Sequence, residues 1–139
     1  MRTVVIAFVA LTVCSCSSTP TSTGERRPVP SDRVFDSSAF VPSSEHNCRV
    51  TITRDKGFVS GGNALDVFLD GHRVARVRTG ESVTLYTSPG RHFVGVKYTW
   101  GWAAPGERDI NATPGQLISL RITVNSDGDL DVKPQSELL

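Results

Sequence analysis

Residues 67–98 read VFLDGHRVARVRTGESVTLYTSPGRHFVGVKY, and the fold follows from this stretch. Apolar and polar residues alternate in short runs, and each run ends in turn chemistry. Alternation with period two in β-branched residues marks half-buried strands. Asp70-Gly71 is a hairpin signal, because both central residues of a tight two-residue turn need positive φ. HRVARVR (72–78) is then the return strand, Thr79-Gly80-Glu81 turns into SVTLYT (82–87), and Ser88-Pro89-Gly90 turns into RHFVGVKYTW (91–100). Upstream, CRVTITRD (48–55) alternates with Cys48, Val50 and Ile52 on one side, GFVSGGN (57–63) is a loop, and Leu65, Val67 and Leu69 face inward. Downstream come the loop GWAAPG (101–106), then ERDINAT (107–113), the turn Pro114-Gly115-Gln116, LISLRITV (117–124), the turn NSDGD (125–129) and LDVKP (130–134). Roughly eight strands with turns every ~8–12 residues predict an all-β fold, a single antiparallel β-sandwich of about 7–8 strands. No stretch has the period of a long helix.

The landmarks Asp70-Gly71, Val74-Ala75, Gly80-Glu81 and Pro89-Gly90-Arg91-His92 resemble those of PEGA-like β-sandwich domains of bacterial envelope proteins. The resemblance covers about a third of the chain and rests on turns, so it implies a fold rather than an activity. The namesake Pro-Glu-Gly-Ala string is absent; Thr79-Gly80-Glu81-Ser82 occupies the corresponding turn. By the same resemblance His92 closes a turn.

The N-terminus reads as an address. Arg2 precedes the apolar run VVIAFVALTV (4–13), which has the layout of a secretory signal and is shorter than a membrane span. Val13-Cys14-Ser15-Cys16 then resembles a bacterial lipoprotein signal, with an aliphatic residue three before the modified cysteine and a small residue just before it. Cys16 fits through Val13 and Ser15. Cys14 is the alternative, with Leu11 well placed but Val13 where a small residue is wanted. The resemblance implies removal of residues 1–15, acylation of Cys16 and attachment to the cell envelope. In a Gram-negative cell, the same resemblance implies that Ser17 favours the outer membrane, facing the periplasm. Several acyl chains are needed because one holds a protein only marginally. Residues 16–46, rich in Ser, Thr and Pro, are expected to form a flexible tether, with Val34, Phe35, Phe40 and Val41 as the exceptions, able to dock on the domain at 47–139 or to form a short strand. Loss of Cys14 and acylation of Cys16 leave Cys48 as a lone thiol, expected to be buried in its strand rather than to bind metal with His46.

The 139 residues carry 15 Lys and Arg against 14 Asp and Glu, which argues against a nucleic-acid partner. There is no nucleophile elbow, no His-Glu-x-x-His and no phosphate-cradling loop, so no cofactor, metal or catalytic residue is expected, and none of the three histidines receives a catalytic role. Asp127, Asp129 and Asp131 have the spacing of a calcium loop, but Val132 and Leu138 stand where Gly and Glu are required. In VGVKYTWGWAAPG (94–106), Val94, Val96, Tyr98, Trp100 and Trp102 share one parity. Two readings follow. Tyr98 and Trp100 cap the core, or the aromatics Tyr98, Trp100 and Trp102 form a binding patch where rings stack on sugars or anchor a protein. The chain is thus expected to be a membrane-anchored envelope lipoprotein with a non-catalytic binding or scaffolding module, whose partner is an envelope protein or the cell wall. A lipoprotein subunit of a secretion or envelope assembly, and a small cell-wall hydrolase, are the alternatives. The intact mass of the mature protein tests the N-terminal reading: a lipid-bearing chain beginning at Cys16 is expected, and one beginning at Cys14 reverses the choice.

Overall fold

The computed structural model describes residues 18–57 and 61–135; the signal segment, Cys14, Cys16 and residues 58–60 and 136–139 lie outside them. The described chain is all-β, with nine strands: β1 (Arg27–Pro28), β2 (Cys48–Arg54), β3 (Leu65–Leu69), β4 (His72–Val77), β5 (Glu81–Thr87), β6 (Gly90–Tyr98), β7 (Gly106–Ala112), β8 (Leu117–Val124) and β9 (Leu130–Pro134). They form a five-stranded sheet of order β1-β5-β2-β8-β9 and a four-stranded sheet of order β4-β3-β6-β7. β2 to β9 coincide with the eight runs read from the sequence. Most pairs are antiparallel, but β1 with β5 and β2 with β8 are parallel, so neither the five-stranded sheet nor the fold is purely antiparallel.

Alternation decides which residues meet. Val50 and Ile52 of β2, Val83 and Leu85 of β5, and Leu120 and Ile122 of β8 are buried from one sheet, and Leu65, Val67, Val94 and Val96 from the other; all belong to one apolar cluster. Asp70 (φ 50°) and Gly71 (φ 80°) adopt the left-handed geometry that a two-residue hairpin needs. The β3–β4 register slips between Val67 and Phe68, so Val67 faces Ala75 whereas Phe68 faces Arg73. Val74 is the extra residue of this bulge, and Val74 and Ala75 are both buried.

The expected free tether is corrected here. Residues 18–46 run along the two sheets. β1 pairs with β5 through Arg27 N–H to the Gly80 carbonyl (3.1 Å), and Val29 N–H donates to Ser82 (3.3 Å). The Val74 carbonyl, freed by the bulge, accepts Phe35 N–H (2.9 Å) and Asp36 N–H (3.4 Å). Thr21 is buried, and Val29, Ala39 and Phe40 pack on the core. A bidentate ion pair holds the crossing: Arg33 Nη1 and Nη2 donate to the Glu81 carboxylate at 2.7 and 2.6 Å, with both side chains largely buried. The segment is too polar to form a core of its own, and it is ordered by backbone groups and charges that the sheets leave unmatched. Of the residues singled out for docking, Val34 bridges Ala75 and Phe40 packs inward, while Phe35 and Val41 stay exposed.

Burial alone would raise the Glu81 pKa, but the Arg33 guanidinium and the Arg78 N–H outweigh it and hold the carboxyl below the usual glutamate range. A depressed carboxyl stabilises the fold above its unfolded pKa, and that stabilisation is lost as pH falls through the lower folded value. Arg33→Ala is expected to cost about 3 kcal/mol at pH 7, because it strands a buried carboxylate. In urea titrations at several pH values, the gap between wild type and variant should narrow as pH drops below about 4.3; a gap that does not change with pH would refute the charge assignment.

Candidate functional site

β6 is the central strand of the outward surface that matters here. Its inward residues Val94, Val96 and Tyr98 are buried, and its outward residues are Phe93, Gly95 and Lys97. Register places Phe68 beside Gly95 on β3 and Glu107 beside it on β7. The result is an open groove of about 570 Å³ whose lining includes Phe68, Phe93, Gly95, Pro105, Lys97 and Glu107. At the far rim Arg91 pairs with Asp109 (2.7 Å) and lies 5.1 Å from the Phe93 ring centre, a cation–π distance.

Gly95 makes the floor. A Cβ built there meets only the Phe68 Cβ, at 3.6 Å, so no atom of the Phe68 ring comes within 4 Å of it. Its φ lies outside the left-handed region that would require glycine. Glycine inside a paired strand weakens it and commonly marks a close approach by another group. Here the missing side chain leaves space over the sheet and relieves no clash.

The three predicted aromatics separate. Tyr98 is 7% exposed and its hydroxyl donates to the Gly128 carbonyl (2.9 Å), so its ring belongs to the core and not to a binding patch. β6 ends there. Gly101 (φ 112°) breaks the extended run, and the shared parity stops applying. Trp100 is 69% exposed and does not cap the core, and Trp102 is wholly exposed. Both lie in the loop between β6 and β7, which supplies Pro105 to the groove.

A second assembly was not legible from the sequence: all three histidines line one cleft of about 230 Å³, with Asp36, Asp70 and Ser88. His92 Nδ1 faces the Asp70 carboxylate (2.6 Å), and Nε2 faces the Ser88 carbonyl (2.8 Å) and the Thr87 hydroxyl (2.9 Å). Asp70 also accepts Phe93 N–H (2.8 Å). Burial tends to raise the Asp70 pKa, yet the contacts with His92 and Phe93 N–H hold it below the usual range. The order carboxylate, imidazole, hydroxyl resembles a nucleophilic set. However, Nε2 is shared between the Ser88 carbonyl and the Thr87 hydroxyl, Thr87 is buried, and the Ser88 hydroxyl is the most distant partner at 3.4 Å. The arrangement ties the β3–β4 turn to the β5–β6 turn. Among the described residues no group of three or more His, Cys, Asp or Glu is placed to hold a metal. Cys48 is buried at the start of β2, and Asp127 and Asp129 lie in a hairpin turn where their N–H groups donate to Asn125 Oδ1.

No family model, curated protein or solved structure matches the chain.

If Gly95 serves the groove and not the fold, Gly95→Ala should stabilise the protein by roughly 0.5–1 kcal/mol, the usual cost of glycine inside a strand. A urea midpoint below that of the wild type would show that the glycine is structurally required.

Proposed function

We propose that the protein is a lipid-anchored envelope lipoprotein whose two sheets form one PEGA-like β-sandwich, acting as a non-catalytic binding module. Cys16 carries the lipid, and the outer face of the four-stranded sheet carries the ligand site. The observation behind the binding role is the open groove over Gly95, between Phe68 and Phe93. An apolar floor with aromatic walls suits the C–H face of a ring. A rim of Lys97, Glu107 and Asp70 offers donors and acceptors to the ring's substituents. Sugar rings of the cell wall have this mixture of apolar face and polar edge, and wall glycan is the partner that the groove suits best.

Co-sedimentation of the mature protein with purified peptidoglycan sacculi tests this. The wild type is expected to pellet. Gly95→Val, which fills the floor with a residue favoured in strands, and Phe93→Ala, which removes one wall, are each expected to weaken binding about tenfold, roughly 1.4 kcal/mol of ring contact. Both changes are at the surface of the sheet, so urea midpoints should show folded proteins. Folded variants that bind as well as wild type would rule the groove out as the site.

A further inference from the structure

The loop that carries Trp100 and Trp102 stands at a particular end of the molecule. Ser18 is fastened to the last residue of β8: its N–H donates to the Val124 carbonyl (3.3 Å) and its hydroxyl accepts Val124 N–H (3.3 Å). The next residue, Thr19, pairs with Lys56. β8 continues into the 125–129 turn, whose Gly128 carbonyl accepts the Tyr98 hydroxyl. Tyr98 is the last residue of β6, and the tryptophan loop follows directly. The loop, the turn and the point where the chain leaves Ser18 towards Cys16 therefore share one end of the two sheets. Only Ser17 separates Ser18 from Cys16, and two residues extend about 7 Å at most. An acylated Cys16 would hold this end, and not the opposite one, against the bilayer.

We propose that Trp100 and Trp102 seat in the headgroup region of the membrane, as a second contact beside the lipid on Cys16; this rests on the lipoprotein reading above. Indole has an apolar body and one N–H donor, which suits the interface between acyl chains and water. Two exposed tryptophans add nothing to the core. At the membrane they supply the further contact that makes anchoring firm and fixes the orientation of the domain. The contact is apolar rather than electrostatic: Asp127 and Asp129 are exposed on the neighbouring turn, and the cations near Ser18 and Thr19 are matched, Lys56 by Glu25 (2.8 Å), Arg121 by Asp55 and Lys133 by Asp131 (3.5 Å). Anionic lipid is thus not needed.

The chain has two tryptophans, so its indole fluorescence reads this loop alone. The mature lipidated protein is reconstituted into phosphatidylcholine vesicles, with and without acyl chains brominated near the headgroup. Flotation with the vesicles reads the anchor, and fluorescence reads the loop. The expected result is flotation, a blue-shifted emission, quenching by brominated lipid and protection from iodide, all persisting in high salt. Trp102→Glu should float equally well but lose the blue shift and the lipid quenching of Trp100. Flotation with unshifted, iodide-accessible emission overturns the membrane contact and leaves the anchor standing, as does a requirement for anionic lipid. A mature protein that does not float overturns the lipoprotein reading, and the proposal falls with it. Protection from iodide without vesicles, on addition of sacculi, would assign the loop to the wall instead.

Discussion

The ion pair between Arg33 and Glu81 is the constraint on which the arrangement of this chain depends. It joins residues 48 apart in a largely buried setting, where a single charge would be costly and a matched bidentate pair is tolerated. Glu81 also accepts Arg78 N–H within its own turn (2.7 Å), and Arg33 reaches the Arg76 carbonyl (3.3 Å). One carboxylate thus closes the β4–β5 turn and receives the N-terminal segment. Behind it the buried Arg54 organises the same end of the sheet with its backbone: its carbonyl accepts Gly80 N–H (3.0 Å) and the Thr21 hydroxyl (3.3 Å). This cluster adds charge pairing to the backbone bonds that hold residues 18–46 along the sheets, a segment whose own apolar content is small.

The fold was largely legible, because a half-buried strand writes itself as alternation and a tight hairpin as Asp-Gly. The two parallel pairs were not legible. β2 and β8 are far apart in sequence, and the inward residues of either strand are the same whichever neighbour it takes. The N-terminal segment was misread for a physical reason: a composition argument asks whether a segment can bury its own apolar surface, and this one is held by hydrogen bonds and charges that belong to other strands. Parity failed at Trp100 because it holds only while the backbone stays extended, and Gly101 ends that condition. The groove had a faint signal, a glycine in the middle of a β-branched strand. The histidine cleft had none, since only topology brings His46, His72 and His92 together.

The proposed contacts share one design. The inward face of β6 is filled by Val94, Val96 and Tyr98, and its outward face is left open at Gly95. The strand thus anchors the core with one parity and leaves an open groove with the other. The loop that follows carries side chains no longer bound to either face, and its tryptophans can be exposed without disturbing the sheet that supports them. Rigid strands therefore position both a concave surface and a protruding one.

The N-terminal segment has a further consequence, which concerns neighbours of the same kind. A sheet edge exposes a row of unpaired backbone groups that another chain can extend. β5 and β4 would be such edges on one side of the molecule, and β1, Val29, Phe35 and Asp36 occupy parts of both. On the other side β7 and β9 end their sheets, but the Arg108 guanidinium spans them to the Val132 carbonyl (3.4 Å), β7 carries Glu107, Arg108 and Asp109, and β9 ends in Pro134. Both sides of the molecule therefore leave little open edge on which a strand of another chain could add. A segment folded back along its own sheets occupies, within one chain, the backbone groups that a second chain would need.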